Sequence, residues 1–139
     1  MSAASDYLED KVYRNLLLGQ AYTPPTKIFI GLHTASPGDT GANEVTTAAF
    51  PAYARQDAAK GGTVDQGWQV PVGGSGKNLL QLVFPVFNGA APLTITHYSL
   101  WDAATAGNCL VLGQLSTART LNPNDIFVID VQKLTITVL

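Results

Sequence analysis

Apolar residues follow one spacing near the N-terminus and another over the rest of the chain. Leu8, Val12 and Leu16 recur every four residues, and Tyr13 and Leu17 widen the stripe. That is the period of one face of an α-helix. A helix is expected over residues 6–18. Asp6 and Glu9 have capping-box spacing, Ser5 is an alternative cap, and Gly19 suits the left-handed residue just past the end. An amphipathic helix must lie on something. Packing on its own domain is the first expectation, and docking on a neighbouring subunit is the second. Thr23-Pro24-Pro25 then ends helical geometry, because proline lacks the donor and restricts the residue before it.

Beyond that point the spacing is that of β-structure. In Lys27–Thr34, Ile28, Ile30 and Leu32 share one face, and Gly31 on the other face allows a bulge or a close neighbouring backbone. Residues 35–52 read as a long loop and Tyr53–Ala59 as a short strand. A weak strand is expected around Trp68, bracketed by Gly61-Gly62 and Val72–Gly76. Asn78–Phe87 is a stronger strand, with Leu80, Leu82, Phe84 and Val86 on one face. After a turn at Ala90-Ala91-Pro92, Leu93–Trp101 alternates. Ile95, His97, Ser99 and Trp101 are expected on one face, with Tyr98 and Leu100 on the other. Asp102–Asn108 is a turn cluster and Leu110–Leu115 a strand. Asn122-Pro123-Asn124-Asp125 is a turn, since proline presets φ and Asn and Asp cap by side chain. Ile126–Val131 and Lys133–Leu139 close the chain as strands, the last alternating cleanly enough to predict a paired C-terminus. The fold class is therefore mostly β: a β-sandwich or jelly roll of about eight antiparallel strands with one N-terminal amphipathic helix. At 139 residues the chain fits a single domain over 1–139, with the helix at about 5–18 and the sandwich at about 26–139.

Composition narrows the function classes. Charged residues are only 13% of the chain, about half the usual roughly 25%. A surface that poor in charge suits coverage by partners, and also a surface rich in Thr, Ser, Asn, Gln and Gly. Net charge is −2, and the eight basic residues form no run, so no nucleic-acid partner is expected. The N-terminus lacks a basic region followed by an apolar run, and no stretch of about 18 apolar residues occurs. No membrane association is expected, and assembly is expected in the cytoplasm. The single cysteine, Cys109, sits in an apolar run and reads as a small buried hydrophobe.

Several motifs invite a chemical reading and fail on detail. Gly73-Gly74-Ser75-Gly76-Lys77 resembles a phosphate loop, but Pro71 stands where the first glycine belongs and Asn78 where Ser or Thr belongs. It also precedes a strand instead of a helix, so a hairpin connection is expected. His33 and His97, even with Asp39, Glu44 or Asp102, lack metal-ligand spacing and read as structural. Ser36 and Ser99 lack a nucleophile-elbow context. Asp39–Glu44 does not match a calcium loop and reads as an Asx-type turn network. Trp68, Trp101, Tyr98 and Phe87 could form a carbohydrate platform, but Trp101 and Tyr98 have opposite parity on one strand, so core packing is expected. No catalytic, cofactor-binding or metal-binding residue is assigned, and no cofactor is expected.

Three segments carry a family resemblance. They are Tyr22–Val45, containing Gly-Leu-His-Thr-Ala-Ser-Pro-Gly-Asp-Thr-Gly; Tyr53-Ala-Arg-Gln56; and Thr96–Asn108, containing His-Tyr-Ser-Leu-Trp-Asp. Together they resemble a family of small tailed-bacteriophage virion proteins often labelled tail-fibre proteins. One branch of it resembles the capsid cement protein of a podovirus infecting Bordetella, a jelly roll that decorates the head. Lys60–Lys77 carries no such motif. The resemblance implies a non-enzymatic structural protein on the outer surface of the capsid. Its implied partners are the major capsid protein and a second copy of itself, as a homodimer or other homo-oligomer. The helix and residues 35–52 are the candidate clamping arms. A tail or tail-fibre component is the alternative. A sugar-binding module or small hydrolase is a third reading from another class.

Overall fold

A computed structural model describes residues 2–138. Among them are nine strands and one α-helix. The order is β1 (Ser2–Ala4), α1 (Asp6–Leu18), β2 (Phe29–His33), β3 (Gln56–Asp57), β4 (Ser75–Lys77), β5 (Leu82–Val86), β6 (Leu93–Trp101), β7 (Cys109–Leu121), β8 (Ile126–Ile129) and β9 (Thr135–Thr137). The main sheet runs β1-β7-β6-β2-β3, and β4-β9 and β5-β8 form two ribbons; every pairing is antiparallel. One contiguous apolar cluster joins them. It draws Ile30 and Leu32 from β2, Ile95, Tyr98 and Leu100 from β6, Leu82 and Phe84 from β5, Phe127 and Ile129 from β8, and Ile136 from β9. The fold is thus mostly β with a single N-terminal helix, as the spacing predicted.

Helix α1 occupies the expected residues, but its cap is Ser5 and not Asp6. The Ser5 hydroxyl accepts from the Leu8 N–H at 3.2 Å, and Gly19 closes the end in the left-handed region at φ 64°. The expectation that the helix packs its stripe on its own domain is corrected. Tyr7 and Leu8 reach the core edge, yet no helix residue is buried, and Val12, Tyr13, Leu16 and Leu17 are exposed. The short strand β1 was not legible, since Ser2-Ala3-Ala4 has no pattern; it pairs with Val111–Gly113 of β7.

Other corrections come from bulges. In β5 the register shifts between Val83 and Val86, at Pro85, which has no N–H to give the ladder. Leu82 and Phe84 point inward, but Val86 turns out and Phe87 takes the next core position, fully buried. Leu80, Leu82, Phe84 and Val86 therefore do not share one face. In β6 the register shifts between Ile95 and His97, so Ile95 joins Tyr98 and Leu100 in the core instead of facing with Ser99 and Trp101. Strand β7 is longer than the expected Leu110–Leu115, because it runs on to Leu121, where Arg119, Thr120 and Leu121 pair with Ile95, Thr94 and Leu93. Around Trp68 the expected strand is a 3₁₀ turn, Val64–Gly67, followed by one isolated bridge to Asn78. The expected strands at Tyr53–Ala59, Asn78–Phe87, Ile126–Val131 and Lys133–Leu139 shorten to β3, β5, β8 and β9, and Leu139 lies outside the described residues. The Gly73-Gly74 segment is a two-residue hairpin turn, with φ of 60° and 81° and reciprocal backbone bonds between Val72 and Ser75.

Candidate functional site

Phe29, Gly31 and His33 alternate with the core residues of β2 and so face the other side of the main sheet. Ser99 and Trp101 of β6 lie beside them in register: Gly31 opposite Ser99, Phe29 opposite Trp101, and His33 opposite His97. This face is closed by the loop that follows β2. Its backbone folds on itself through Gly41 and Ala42 N–H bonds to the Pro37 carbonyl, and rejoins β2 through Val45 N–H to the Leu32 carbonyl. Close packing there needs glycine. A Cβ on Gly31 would lie 2.9 Å from Ser99 Oγ and 3.0 Å from Glu44 Oε1. One on Gly41, at φ +83°, would lie 2.7 Å from the Trp101 ring.

Six side chains make a polar knot beneath that loop. His33 is fully buried, its Nδ1 2.8 Å from the Ala42 carbonyl and its Nε2 2.6 Å from Ser99 Oγ. A carbonyl only accepts, so Nδ1 carries the proton and Nε2 accepts from the Ser99 hydroxyl. Trp101 Nε1–H donates to Ser99 Oγ at 2.6 Å. Glu44 accepts from the Tyr53 hydroxyl at 2.8 Å and from Arg55 Nε and Nη2 at 2.8 and 2.7 Å. Tyr53 Oη also accepts from Leu32 N–H at 2.9 Å. The Arg55 guanidinium lies 3.7 Å from the Trp101 ring centre and donates to the carbonyls of Ala103 and Ala106.

The electrostatics match this closure. Burial pushes the His33 pKa below its ordinary value, against the opposing pull of the Ala42 carbonyl and Glu44. Burial raises Glu44, but the hydrogen bonds from Arg55 and Tyr53 and the Arg55 charge outweigh it, and the carboxyl ends below its ordinary value. Burial lifts the Tyr53 hydroxyl far up, so it stays protonated. His33 and Ser99 have the spacing of a nucleophile and its base. Yet Ser99 is fully buried, its single proton is committed to His33, and the outer nitrogen of His33 meets a carbonyl instead of a carboxylate. What the arrangement does is lock the loop onto the sheet.

The remaining sequence candidates scatter. Asp39 is exposed, and its carbonyl accepts from Asp6 N–H. Asp102 caps its own turn through Asn108 N–H and Nδ2 at 2.7 and 2.8 Å. Ser36 is exposed and accepts from Gly38 N–H, and His97 bonds to its neighbour Thr96. Cys109 is buried, its thiol pushed up to about 12 chiefly by burial. Tyr98 and Phe87 are core residues while Trp101 belongs to a separate cluster with Cys109 and Leu112, so the four aromatics form no common platform. Among the described residues no group of three or more His, Cys, Asp or Glu could hold a metal.

Two surfaces stand apart from the knot: the helix stripe, for which docking on a neighbouring subunit was the second expectation, and a ribbon face that was not assigned from sequence. The first is the exposed stripe of α1. With Ala3, Ala4, Val138 and the acidic Glu9 it walls an open, mostly apolar groove of about 520 Å³. The second is the outer face of the β5-β8 ribbon, where Val83 pairs with Val128 and Val86 with Ile126; all four are exposed. Continuous aliphatic runs, Leu82-Val83-Phe84 and Ile126-Phe127-Val128-Ile129, were the available signal, since strands that are apolar on both faces ordinarily have both faces covered. The helix packs on β7 and β1, whereas the ribbon packs on β3, so the two surfaces belong to different parts of the fold.

The three segments that carry the family resemblance are the ones that build the knot. Tyr22–Val45 supplies His33 and Glu44, Tyr53–Gln56 supplies Tyr53 and Arg55, and Thr96–Asn108 supplies Ser99 and Trp101. A family model described as Podophage GP4 fiber I protein gp80 matches residues 3–137, nearly the whole chain. No curated protein matches it significantly. The chain therefore belongs to the Podophage GP4 fiber I protein gp80 family and is a structural protein of the phage particle.

Proposed function

We propose that the chain is a non-enzymatic cement protein that binds the outer surface of the assembled capsid shell, bridges subunits of the major capsid protein and stabilises the head. One observation carries this reading: the polar residues are closed on one another while two separate aliphatic faces are left open. A protein that bridges needs at least two contact surfaces on a rigid body. The ribbon face, with Val83, Val86, Ile126 and Val128, is the surface proposed to meet the shell. Low charge suits this role, because charged residues are depleted at interface cores.

The family's description favours a second reading, a tail or tail-fibre-associated structural protein. Stoichiometry separates the two. Quantifying this protein against the major capsid protein in purified particles should give hundreds of copies for a cement protein. A few copies, in the low multiples typical of tail parts, would replace the first reading with the second.

A further inference from the structure

We infer that the exposed face of α1 is a two-fold contact between copies of this chain, formed by two α1 helices packed antiparallel. The inference rests on the bridging reading in one respect, since a two-fold dimer carries the ribbon face twice. The face itself is defined by the fold. Val12, Tyr13, Leu16 and Leu17 are 41%, 58%, 73% and 67% exposed and adjacent on one side of the helix. Together with Val138 they expose roughly 500 Å² of side chain, against about 800 Å² per partner in a standard interface. The helix backbone, Ala3 and Ala4 around them add to that area, which fits a reversible, concentration-dependent dimer.

The choice of a second copy follows from shape and charge. An isologous interface presents the same patch on both subunits, so the patch must contain both a ridge and a recess. This one does: Leu16 and Leu17, the most exposed side chains of the face, also wall the groove that Ala3, Ala4 and Val138 line. Small residues on the groove floor let a neighbouring helix approach closely. The charges on the helix fit one orientation. Asp6, Glu9 and Asp10 outweigh Lys11 in its first half, and Arg14, paired with Asp10 at 2.8 Å, is the one charge in residues 12–18. Antiparallel packing sets each acidic half beside the half that carries Arg14 and opposes the two macrodipoles. Parallel packing would set the two acidic halves side by side, Glu9 against Glu9.

Sedimentation equilibrium of the full chain tests this. The expected mass is twice 14.7 kDa at high concentration, falling towards 14.7 kDa on dilution. Leu16→Lys and, independently, Leu17→Lys should each weaken the dimer about 30-fold or more. Both side chains are largely exposed, so at dilutions where the parent is also monomeric, melting and far-ultraviolet circular dichroism should remain those of the parent protein. A chain that stays monomeric to millimolar concentration, a trimer, or a dimer indifferent to both substitutions overturns the inference. Particle copy number is read separately. A monomer found in hundreds of copies per particle defeats the helix pairing alone. A dimer found in only a few copies defeats the cement reading alone.

Discussion

The knot under the loop and the open aliphatic faces use opposite chemistry for opposite ends. In the knot, His33, Ser99, Trp101, Glu44, Tyr53 and Arg55 satisfy one another within a few ångströms of a glycine-lined backbone. On α1 and on the β5-β8 ribbon, eight aliphatic or aromatic side chains are left 41–73% exposed. Residues that look reactive in sequence are consumed by the fold, and residues that look unremarkable are left exposed. A buried donor or acceptor without a partner costs about 1–3 kcal/mol, so a network of this kind is stable only when complete. An exposed valine carries no such penalty, and it is free to act in binding.

The comparison is broken most severely at the ion pair. The Arg55 side chain is only 7% exposed and that of Glu44 20%. Glu44→Ala should leave a buried guanidinium without its carboxylate and Tyr53 without its acceptor. The expected loss is about 3–5 kcal/mol, read as a lower midpoint in chemical denaturation. Glu44→Gln keeps an acceptor and should cost less. If Glu44→Ala unfolds at the parent midpoint, the knot does not hold the loop.

A second break is steric. Gly41→Ala must adopt φ +83° and place a methyl group 2.7 Å from the Trp101 ring, which is also held by Arg55. Strain and overpacking together should cost roughly 2–4 kcal/mol, with tryptophan fluorescence reporting displacement of the ring. Gly38→Ala is the control for backbone strain alone. It also has positive φ, at 57°, but nothing lies near its Cβ.

These residues show what could be read from the sequence and what could not. The helix, Leu93–Trp101 and the two-residue glycine turn were legible because each is a local pattern with a local cause. The knot was visible only in pieces. His33 and Ser99 are 66 positions apart, and nothing local in Tyr53-Ala-Arg-Gln56 states that Arg55 will reach Glu44 and Trp101. The outward turn of Val86 depends on a bulge at Pro85, and parity counting has no term for a bulge. The exposed helix stripe was misassigned for a related reason. Amphipathicity states that a face wants cover, not whether the same chain supplies it.

Acid should loosen the knot more gently. His33 has a folded-state pKa below its ordinary 6.5, so between those two values the unfolded chain binds a proton that the folded chain refuses. The stability from this group is complete above about 6.5 and declines as pH falls. Glu44 adds to the decline at lower pH. Its folded-state pKa is below 4.5, so its share is present above that value and is lost as pH falls through the folded-state pKa. The melting temperature should therefore drop on going from about pH 7 to about pH 5, and His33→Gln should flatten that first segment while leaving the lower one. An unchanged slope in His33→Gln would mean that another group carries the acid response.

The smallest effect on the fold should come from the ribbon face, and it is the sharpest test of the contrast. Val83 and Val128 are directly paired and 42% and 41% exposed, with their side chains turned away from Phe84 and Phe127 in the core. Val128→Lys should change stability by about 0.5 kcal/mol or less, since it opens no cavity and buries no charge in the free protein. On the particle the same substitution places an ammonium group in the proposed contact and should reduce bound copies at least tenfold. Comparing bound fractions of parent and variant on particles lacking this protein measures that directly. Arg55→Ala inverts the expectation, with a large loss of stability and, below its melting point, retention of the ribbon contact. If Val128→Lys binds like the parent, the ribbon is an ordinary exposed face, and the partner surface must be sought on α1 alone.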